Sequence, residues 1–429
     1  MNRGRKRDTH DRRAIWSWAL YDWGNSAFAT VVLAGFYPIL FREYWAADLA
    51  TGQVTFWLGL GNALSSLVIV LLAPVLGAIA DRGGLRKRLL GLFALLGIVM
   101  TVGLWQVEAG LWPLAWLLFL LAAVGFMGAN VFYDALLSLV SPESELDRIS
   151  ALGYGLGYLG GGLMFLVCTL AVMYPAWFGL ADARQAMRVA FLAVGLWWLV
   201  FSLPILLWVP EARHSLSLGG AVREGMAQFA GTFRHLRRYR HVMHFLLAYW
   251  LYIDGVDTIV RMAVDYGAAL GLDSTELVKA LLLVQFVAFP AAIVYGHLGK
   301  HVGVKPALLG GIGAYALITV WGTLIEQVWQ FYAVAVAIGL VQGGVQALSR
   351  SLYARIIPAD QQAEFFGFYN MLGKFAAVFG PLLLGSVAAL TSSPRFSMLS
   401  LLLLFAAGGW LLARLDVEAA GRAAGRRVQ

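Results

Sequence analysis

Long, unbroken apolar runs dominate the chain. Twelve of them, near 14–40, 53–80, 88–107, 111–140, 150–174, 187–209, 241–266, 276–299, 306–325, 329–357, 364–390 and 395–414, are separated by charged or turn-rich gaps. A helix needs about 20 mainly apolar residues to cross the hydrocarbon core of a bilayer. None of the runs alternates every second residue, as the roughly ten-residue strands of a membrane barrel do. The pattern predicts an all-α membrane protein of twelve transmembrane helices, numbered below in chain order. The first run follows a basic stretch, as the core of a signal peptide would. Asp22 and Asn25 inside it, its length, and the lack of a clean A-x-A site argue against cleavage.

Composition adds exclusions. Apolar residues make up 60% of the chain and charged residues 13%, against about 45–50% and about 25% in soluble domains. So few charges cannot build a water-soluble shell. Soluble-enzyme, nucleic-acid-binding and disordered readings fall away despite the net charge of +8. Basic residues crowd alternate loops instead: Arg3 to Arg13 before helix 1, Arg82 to Arg88 between helices 2 and 3, Arg213 to Arg240 in the middle, and Arg414 to Arg427 in the tail. The 3–4 and 9–10 connections have no Lys or Arg. The positive-inside rule then predicts that both termini and the middle connector are cytoplasmic, in a bacterial plasma membrane. The basic arms are also placed to touch anionic membrane lipid. The single cysteine, Cys168, forbids an internal disulfide, and the seven histidines form no ligand motif. No phosphate-cradling loop ends in Lys-Ser/Thr, so an ATP-driven engine is not expected. The chain is read as needing no cofactor or metal, as no enzyme, and as a monomer.

The chain divides in two. A basic arm (1–13) precedes a six-helix bundle (14–209), a hydrophilic connector (210–240), a second bundle (241–414) and a tail (415–429). The halves share patterns. Asp22-Trp-Gly-Asn25-Ser26 in helix 1 matches Asp254-Gly-Val-Asp257-Thr258 in helix 7. Gly128-Ala-Asn130 in helix 4 matches Gly344-Val-Gln346 in helix 10, which sets Asp134 opposite Arg350 and Pro142 opposite Pro358. Paired six-helix repeats are a transporter architecture, with the solute site near the midplane between them.

The loop GAIADRGGLRK from Gly77 resembles the loop signature of the major facilitator superfamily, with Asp81, Arg82, Arg86 and Lys87 in its characteristic places. The resemblance implies a charge-linked contact there that holds one gating state. The matching loop from Gly296 has Lys300 where the acid would stand. WALYDWGNSAFATVV, the Asp254-Gly-Val start, the Gly153-to-Gly162 stretch and EFFGFYNMLGKFAAVFGP are similar to the vacuole-effluxer branch of that superfamily. Its fungal members are autophagy-linked amino-acid exporters of the vacuole. The resemblance implies two pseudo-symmetric bundles, with helices 1, 4, 7 and 10 around a central cavity.

An ionisable side chain at a helix centre costs about 2.5–3.5 kcal/mol on insertion scales, so it faces a cavity or a partner. Asp22, Asp134, Asp254, Asp257, Arg261, Asp265 and Arg350 all lie on those four helices, and Lys374 lies on helix 11. The candidate solute or proton site is Asp22, Asn25, Asn130, Tyr133, Asp254, Asp257, Arg261, Gln346 and Lys374. The candidate gate is Asp81, Arg82, Arg86, Lys87, Asp134 and Arg350. Asp257 and Arg261 are an i,i+4 acid–base pair, which leaves Asp254 as the expected proton site and Asp22 as the partner of Lys374 or of the solute. Structural ion pairs are the plain alternative for each charge, and lipid or helix packing for each aromatic. Helix 5 reads Gly153-x-x-x-Gly157-Tyr158-x-x-Gly161-Gly162, small residues that suit either close packing or a hinge.

The expected function is secondary transport of a small organic solute by alternating access, an amino acid or related metabolite first, coupled to protons or simply facilitated. Export of amphipathic drugs or lipids is the alternative. A non-transporting sensor or scaffold would need an output domain, and 210–240 is too short for one. A membrane enzyme would need a nucleophile–base set, which the sequence lacks.

Overall fold

The computed structural model describes residues 12–211, 218–234, 239–269, 274–391 and 394–424. Helix 1 begins at Arg12 and reaches Trp45, with π-helical turns over Phe28–Phe36 and Phe41–Trp45. Helices 2 to 6 follow as Thr51–Gly83, Arg86–Leu104, Trp112–Val140, Leu146–Met173 and Ala183–Trp208. Helices 7 to 11 are Arg240–Ala269, Ser274–Val302, Val304–Gly322, Val328–Ile356 and Gln362–Thr391. Helix 12 is Leu401–Arg414, preceded by a short turn of helix at Pro394–Leu399. Among the described residues ten of these are long and apolar enough to cross a membrane. Helices 7 and 11, the remaining two, each run for 30 residues. Large apolar side chains such as Leu71, Leu92, Leu317 and Leu403 stand outward, as a surface facing hydrocarbon requires, while backbone polar groups are spent inside helices.

Helix ends are set by local chemistry. Gly84 takes a left-handed conformation (φ 60°) and, with Leu85, turns the chain from helix 2 into helix 3, a conformation glycine adopts without penalty. Asp182 caps helix 6 by accepting the Gln185 N–H at 2.7 Å, since first-turn amides have no partner inside a helix.

The middle connector, read from sequence only as a hydrophilic link, holds an amphipathic helix at Leu218–Arg234. It lies on the end of helix 2 that bears the basic loop: a Cβ on Gly225 would stand 2.6 Å from the Ile79 Cα. A short tail helix, Val417–Ala423, is capped by Asp416.

The halves meet along two helix pairs, and small residues set both contacts. Helix 2 crosses helix 11, where a Cβ on Gly77 would collide with the Ala363 carbonyl and one on Gly367 would lie 2.7 Å from the Pro74 Cα. Helix 5 crosses helix 8, where Gly296 sits against Ala151 and Gly155 against the Phe289 carbonyl. The glycine-rich stretch of helix 5 also serves a second face. Gly153, Gly157 and Gly160 lie against Trp18, Asp22 and Trp23 of helix 1. These glycines are packing surfaces on both sides of one helix.

Glycine 77 is therefore a sharp test of the interface. Gly77→Ala puts a methyl onto backbone that cannot rotate away, and should lower the melting temperature in detergent by several degrees. Gly310→Ala, where a Cβ meets nothing within 4 Å, should leave it unchanged or raise it, since alanine is the better helix former by about 1 kcal/mol. Equal melting of the two variants would refute the close helix 2–helix 11 contact.

Candidate functional site

Arg350 is the centre of the site. Helix 10 carries it into the opposite half, where it is 1% exposed. Its Nη1 donates to Asp134 Oδ1 of helix 4 at 3.1 Å. Its Nε donates to Ser150 Oγ at 3.0 Å and its Nη2 to the Ser150 carbonyl at 2.8 Å. The guanidinium also lies over the rings of Tyr154, Trp18 and Tyr133, 4.1, 4.9 and 5.4 Å from their centroids, a favourable placement for a cation against π faces. Asp134 spends its other oxygen on Asn370 Nδ2 of helix 11 at 3.1 Å. One carboxylate thus ties helix 4 to helices 10 and 11.

Two further charge links lie at the same end. Arg355 of helix 10 meets Asp147 of helix 5 at 2.8 Å. Asp81 accepts the backbone N–H groups of Ala363 and Glu364, each at 3.0 Å, and holds Arg86 at 2.7 Å. The acid of the first loop therefore caps the first turn of helix 11, where unpaired amides and the helix dipole favour an anion. The expected cluster of Asp81 with Arg82, Arg86 and Lys87 divides. Arg86 pairs with Asp81, Lys87 donates instead to the Val209 carbonyl at 2.5 Å, and Arg82 is half-buried. Glu211 accepts the backbone N–H of both Arg86 and Lys87, at 2.8 and 3.1 Å. The connector helix joins this end as well, with Gln228 donating to Glu364 at 2.5 Å.

Toward the middle of the bundle the polar groups face one another. Tyr133 donates to Asp22 Oδ2 at 3.3 Å, and Ser26 to Asp22 Oδ1 at 3.2 Å. Asn25 donates to Asn130 at 2.6 Å. Trp18 stacks on Tyr133 with 4.5 Å between centroids, and its Nε1 donates to the Tyr133 carbonyl. Tyr158 donates across the halves to Gln346 at 2.5 Å. The Tyr133 ring beneath Arg350 and its hydroxyl on Asp22 connect the buried cation to the carboxylate.

Asp254 lies elsewhere. It is 1% exposed and accepts the Gly380 N–H of helix 11 at 2.9 Å and Thr258 Oγ1 at 3.5 Å. Asp22 is half-buried, as is Asp257. The side chains of Arg261, Asp265 and Lys374 lie outside the described residues, as do 1–11 of the basic arm and Arg426 and Arg427 of the tail. The structure therefore brings Asp22, Tyr133, Asn25 and Asn130 together with the Asp134–Arg350 pair, and sets Asp254 apart. Sequence reasoning missed Ser150, Tyr154, Asp147 and Arg355. Serine and tyrosine carry no charge signal, and Asp147 and Arg355 sit beside loops where charges read as topology markers.

A family model described as "Vacuole effluxer Atg22 like" matches residues 53–425. The MFS-type transporter YxiO of Bacillus subtilis (strain 168) is 36% identical over 94% of each chain. Autophagy-related protein 22 of Yarrowia lipolytica is 28% identical over 63% of this chain and 50% of its own; the chain spans about half the length of such fungal relatives. Among solved structures, the human organic anion transporter MFSD10 (TETRAN) superposes with a TM-score of 0.70 at 16% identity, covering 94% of this chain and 99% of that one. FucP in the outward conformation gives 0.72 at 13%, covering 94% and 98%. These likenesses show the major facilitator fold.

Removing the Asp134 charge should open the contact. Breaking one partner of a buried ion pair costs about 3–5 kcal/mol, and here the cost falls on the state in which the halves touch. A cysteine at Ala347, a buried position whose carbonyl accepts the Ser150 hydroxyl, in a Cys168→Ala background reports it. Asp134→Asn should speed its alkylation by about tenfold or more, since 1.4 kcal/mol is tenfold. The swap Asp134→Arg with Arg350→Asp should recover only part of the protection, because a carboxylate at 350 would face the Ser150 carbonyl. Alkylation unchanged in Asp134→Asn would show that the pair does not hold the halves.

Proposed function

Since the chain belongs to the Atg22-like vacuole effluxer family of the major facilitator superfamily, and is thus an integral membrane transporter rather than an enzyme, we propose that it moves a small organic solute by alternating access. The observation that carries this reading is Arg350, a cation of one half held in a polar and aromatic pocket of the other. Such a contact has two discrete states, made and withdrawn. Rocking of two bundles about a midplane site needs an element of that kind.

The groups beside it suit a polar, zwitterionic solute better than an amphipathic drug. Asn25, Asn130, Tyr133, Tyr158 and Gln346 offer donors and acceptors from both halves. An amino acid or related metabolite is the solute class we favour. We place the basic-loop end, with both termini and the connector, on the cytoplasmic side, which its Lys/Arg excess supports, and the Bacillus relative supports a bacterial plasma membrane. One chain supplies both halves of the site, so a monomer suffices.

For coupling we favour Asp22 over Asp254. Asp22 is half-buried and joined through Tyr133 to the Arg350 contact. A change in that contact alters the surroundings of the carboxylate, and with them its hold on a proton. Asp254 is 1% exposed and accepts a backbone N–H of helix 11, the work of a structural acceptor.

A thermal-shift screen against metabolite panels identifies the solute, and counterflow in proteoliposomes then tests transport. Asp22→Asn should abolish uphill uptake driven by a pH gradient while solute exchange continues. Asp254→Asn should instead lower the melting temperature and reduce both modes together. Uphill transport that survives in Asp22→Asn would remove the carboxylate from coupling, and a reconstituted protein with no exchange of any stabilising solute would overturn the transport mechanism.

A further inference from the structure

Away from the Arg350 contact, a groove of about 350 Å³ opens where helices 1, 5 and 8 meet at the basic-loop end. Its walls are apolar: Ile149 and Leu152 of helix 5 and Ile293 of helix 8. Its rim is basic: Arg12 at the start of helix 1, Arg148 at the start of helix 5, and His297 near the end of helix 8. Ile15 and Trp16 complete the lining, and Trp16 is 51% exposed. We propose that this groove binds one anionic phospholipid, with its phosphate on Arg12 and Arg148 and an acyl chain along Ile149, Leu152 and Ile293.

Three features point to that occupant. The first is charge. Among the described residues no acid lines the groove. Glu145, beside it, takes one nitrogen of Arg148 at 2.9 Å, and a guanidinium has five N–H donors. His297 Nδ1 is occupied with the Ile293 carbonyl at 2.9 Å, which leaves Nε2 as the ring's other polar atom. The sequence before Arg12 carries four basic residues, Arg3, Arg5, Lys6 and Arg7, against two acids, Asp8 and Asp11, so on balance like charge disfavours the chain's own arm as the occupant. The second is depth. Arg12 and Arg148 stand at the ends of membrane helices, where headgroups lie, and a half-exposed tryptophan is the side chain suited to that layer. The third is amphipathy: one groove offers cations at its mouth and hydrocarbon along its wall, the division found in a phospholipid itself. A free anion would use the rim and leave the wall bare.

The groove also joins the two halves. Arg12 and Arg148 belong to the first and His297 and Ile293 to the second, so a lipid seated there touches both only while helices 5 and 8 keep this contact. The lipid is then a ligand of one state of the bundle, and it shifts the equilibrium toward that state by its difference in affinity for the two.

Native mass spectrometry of the full-length protein, with phosphatidylglycerol and phosphatidylcholine of identical acyl chains, tests the site. The wild-type protein should retain one phosphatidylglycerol in preference to phosphatidylcholine. Arg12→Gln with Arg148→Gln should lower that retention by about tenfold or more, as two basic contacts to an anionic headgroup are worth. Arg223→Gln with Arg422→Gln removes the same charge from exposed positions elsewhere and should leave retention unchanged. Leu152→Trp, which fills the wall without changing charge, should also lower it, and millimolar inorganic phosphate should not displace the lipid. No preference for phosphatidylglycerol, equal loss in the control pair, or retention unaffected by Leu152→Trp would each overturn the proposal. Displacement by phosphate would assign the rim to a soluble anion instead.

Discussion

A guanidinium that cannot lose its proton, buried where water does not reach, imposes conditions on everything around it. Transfer of such an ion out of water costs several kcal/mol even after relaxation, and only good geometry with further hydrogen bonds offsets it. Arg350 meets the condition with one carboxylate, one hydroxyl, one carbonyl and three aromatic faces. All but the cation itself come from the first half. The first half supplies the pocket and the second the cation, and among the described residues the side-chain hydrogen bonds of Arg350 all go to the first half. Each half is completed by the other, and in the transport cycle proposed above water replaces those partners when the halves part.

Two further carboxylates at that end, and one at the opposite end, use helix termini as charge sites. Asp81 serves the open amides of helix 11, Glu211 those of helix 3, and Asp182 those of helix 6. Asp182 acts within its own segment. Asp81 acts across the halves, which is why the same carboxylate also needs Arg86 to hold it in place. Close approach makes this possible. Gly77 and Gly367 let helices 2 and 11 touch backbone to backbone, and that contact brings the amides of 363 and 364 within 3.0 Å of a side chain as short as aspartate.

The helices were legible because hydrocarbon enforces long apolar runs and forbids exposed backbone. All twelve runs are helical, and the errors fall where that constraint relaxes. The connector helix at Leu218–Arg234 is outside the apolar runs, and its partner surface on helix 2 is a tertiary fact. The charged members of the site were legible for the same reason, since an acid or arginine in such a run demands an explanation. Ser150 and Tyr154 were not, because a serine or tyrosine in a membrane helix is unremarkable until the partner it serves is known. The separate places of Asp22 and Asp254 were hidden too. The pattern they share carries a hydroxyl four residues on, and each carboxylate accepts a bond from it. It says nothing of the neighbouring helix, which offers a tyrosine in one half and a glycine amide in the other.

That contrast has a cause in the symmetry of the repeat. Where each copy bonds within its own half, the two can keep the same residue: Asp22 bonds within the first half and Asp254 within the second. Positions near the axis face each other. Two copies of one ionisable residue there would meet as like charges in a buried place, which is the arrangement a membrane interior tolerates least. Asp134 and Arg350 occupy matched positions in helices 4 and 10 and touch at 3.1 Å. Their divergence to opposite charge is therefore what contact at the axis demands. The loops follow the same rule one step removed: Asp81 caps helix 11 across the halves, and its counterpart position in the second loop holds Lys300, an exposed cation that a helix N-terminus would repel. Identity of residues across the repeat marks where the halves act separately, and opposition of charge marks where they act on each other.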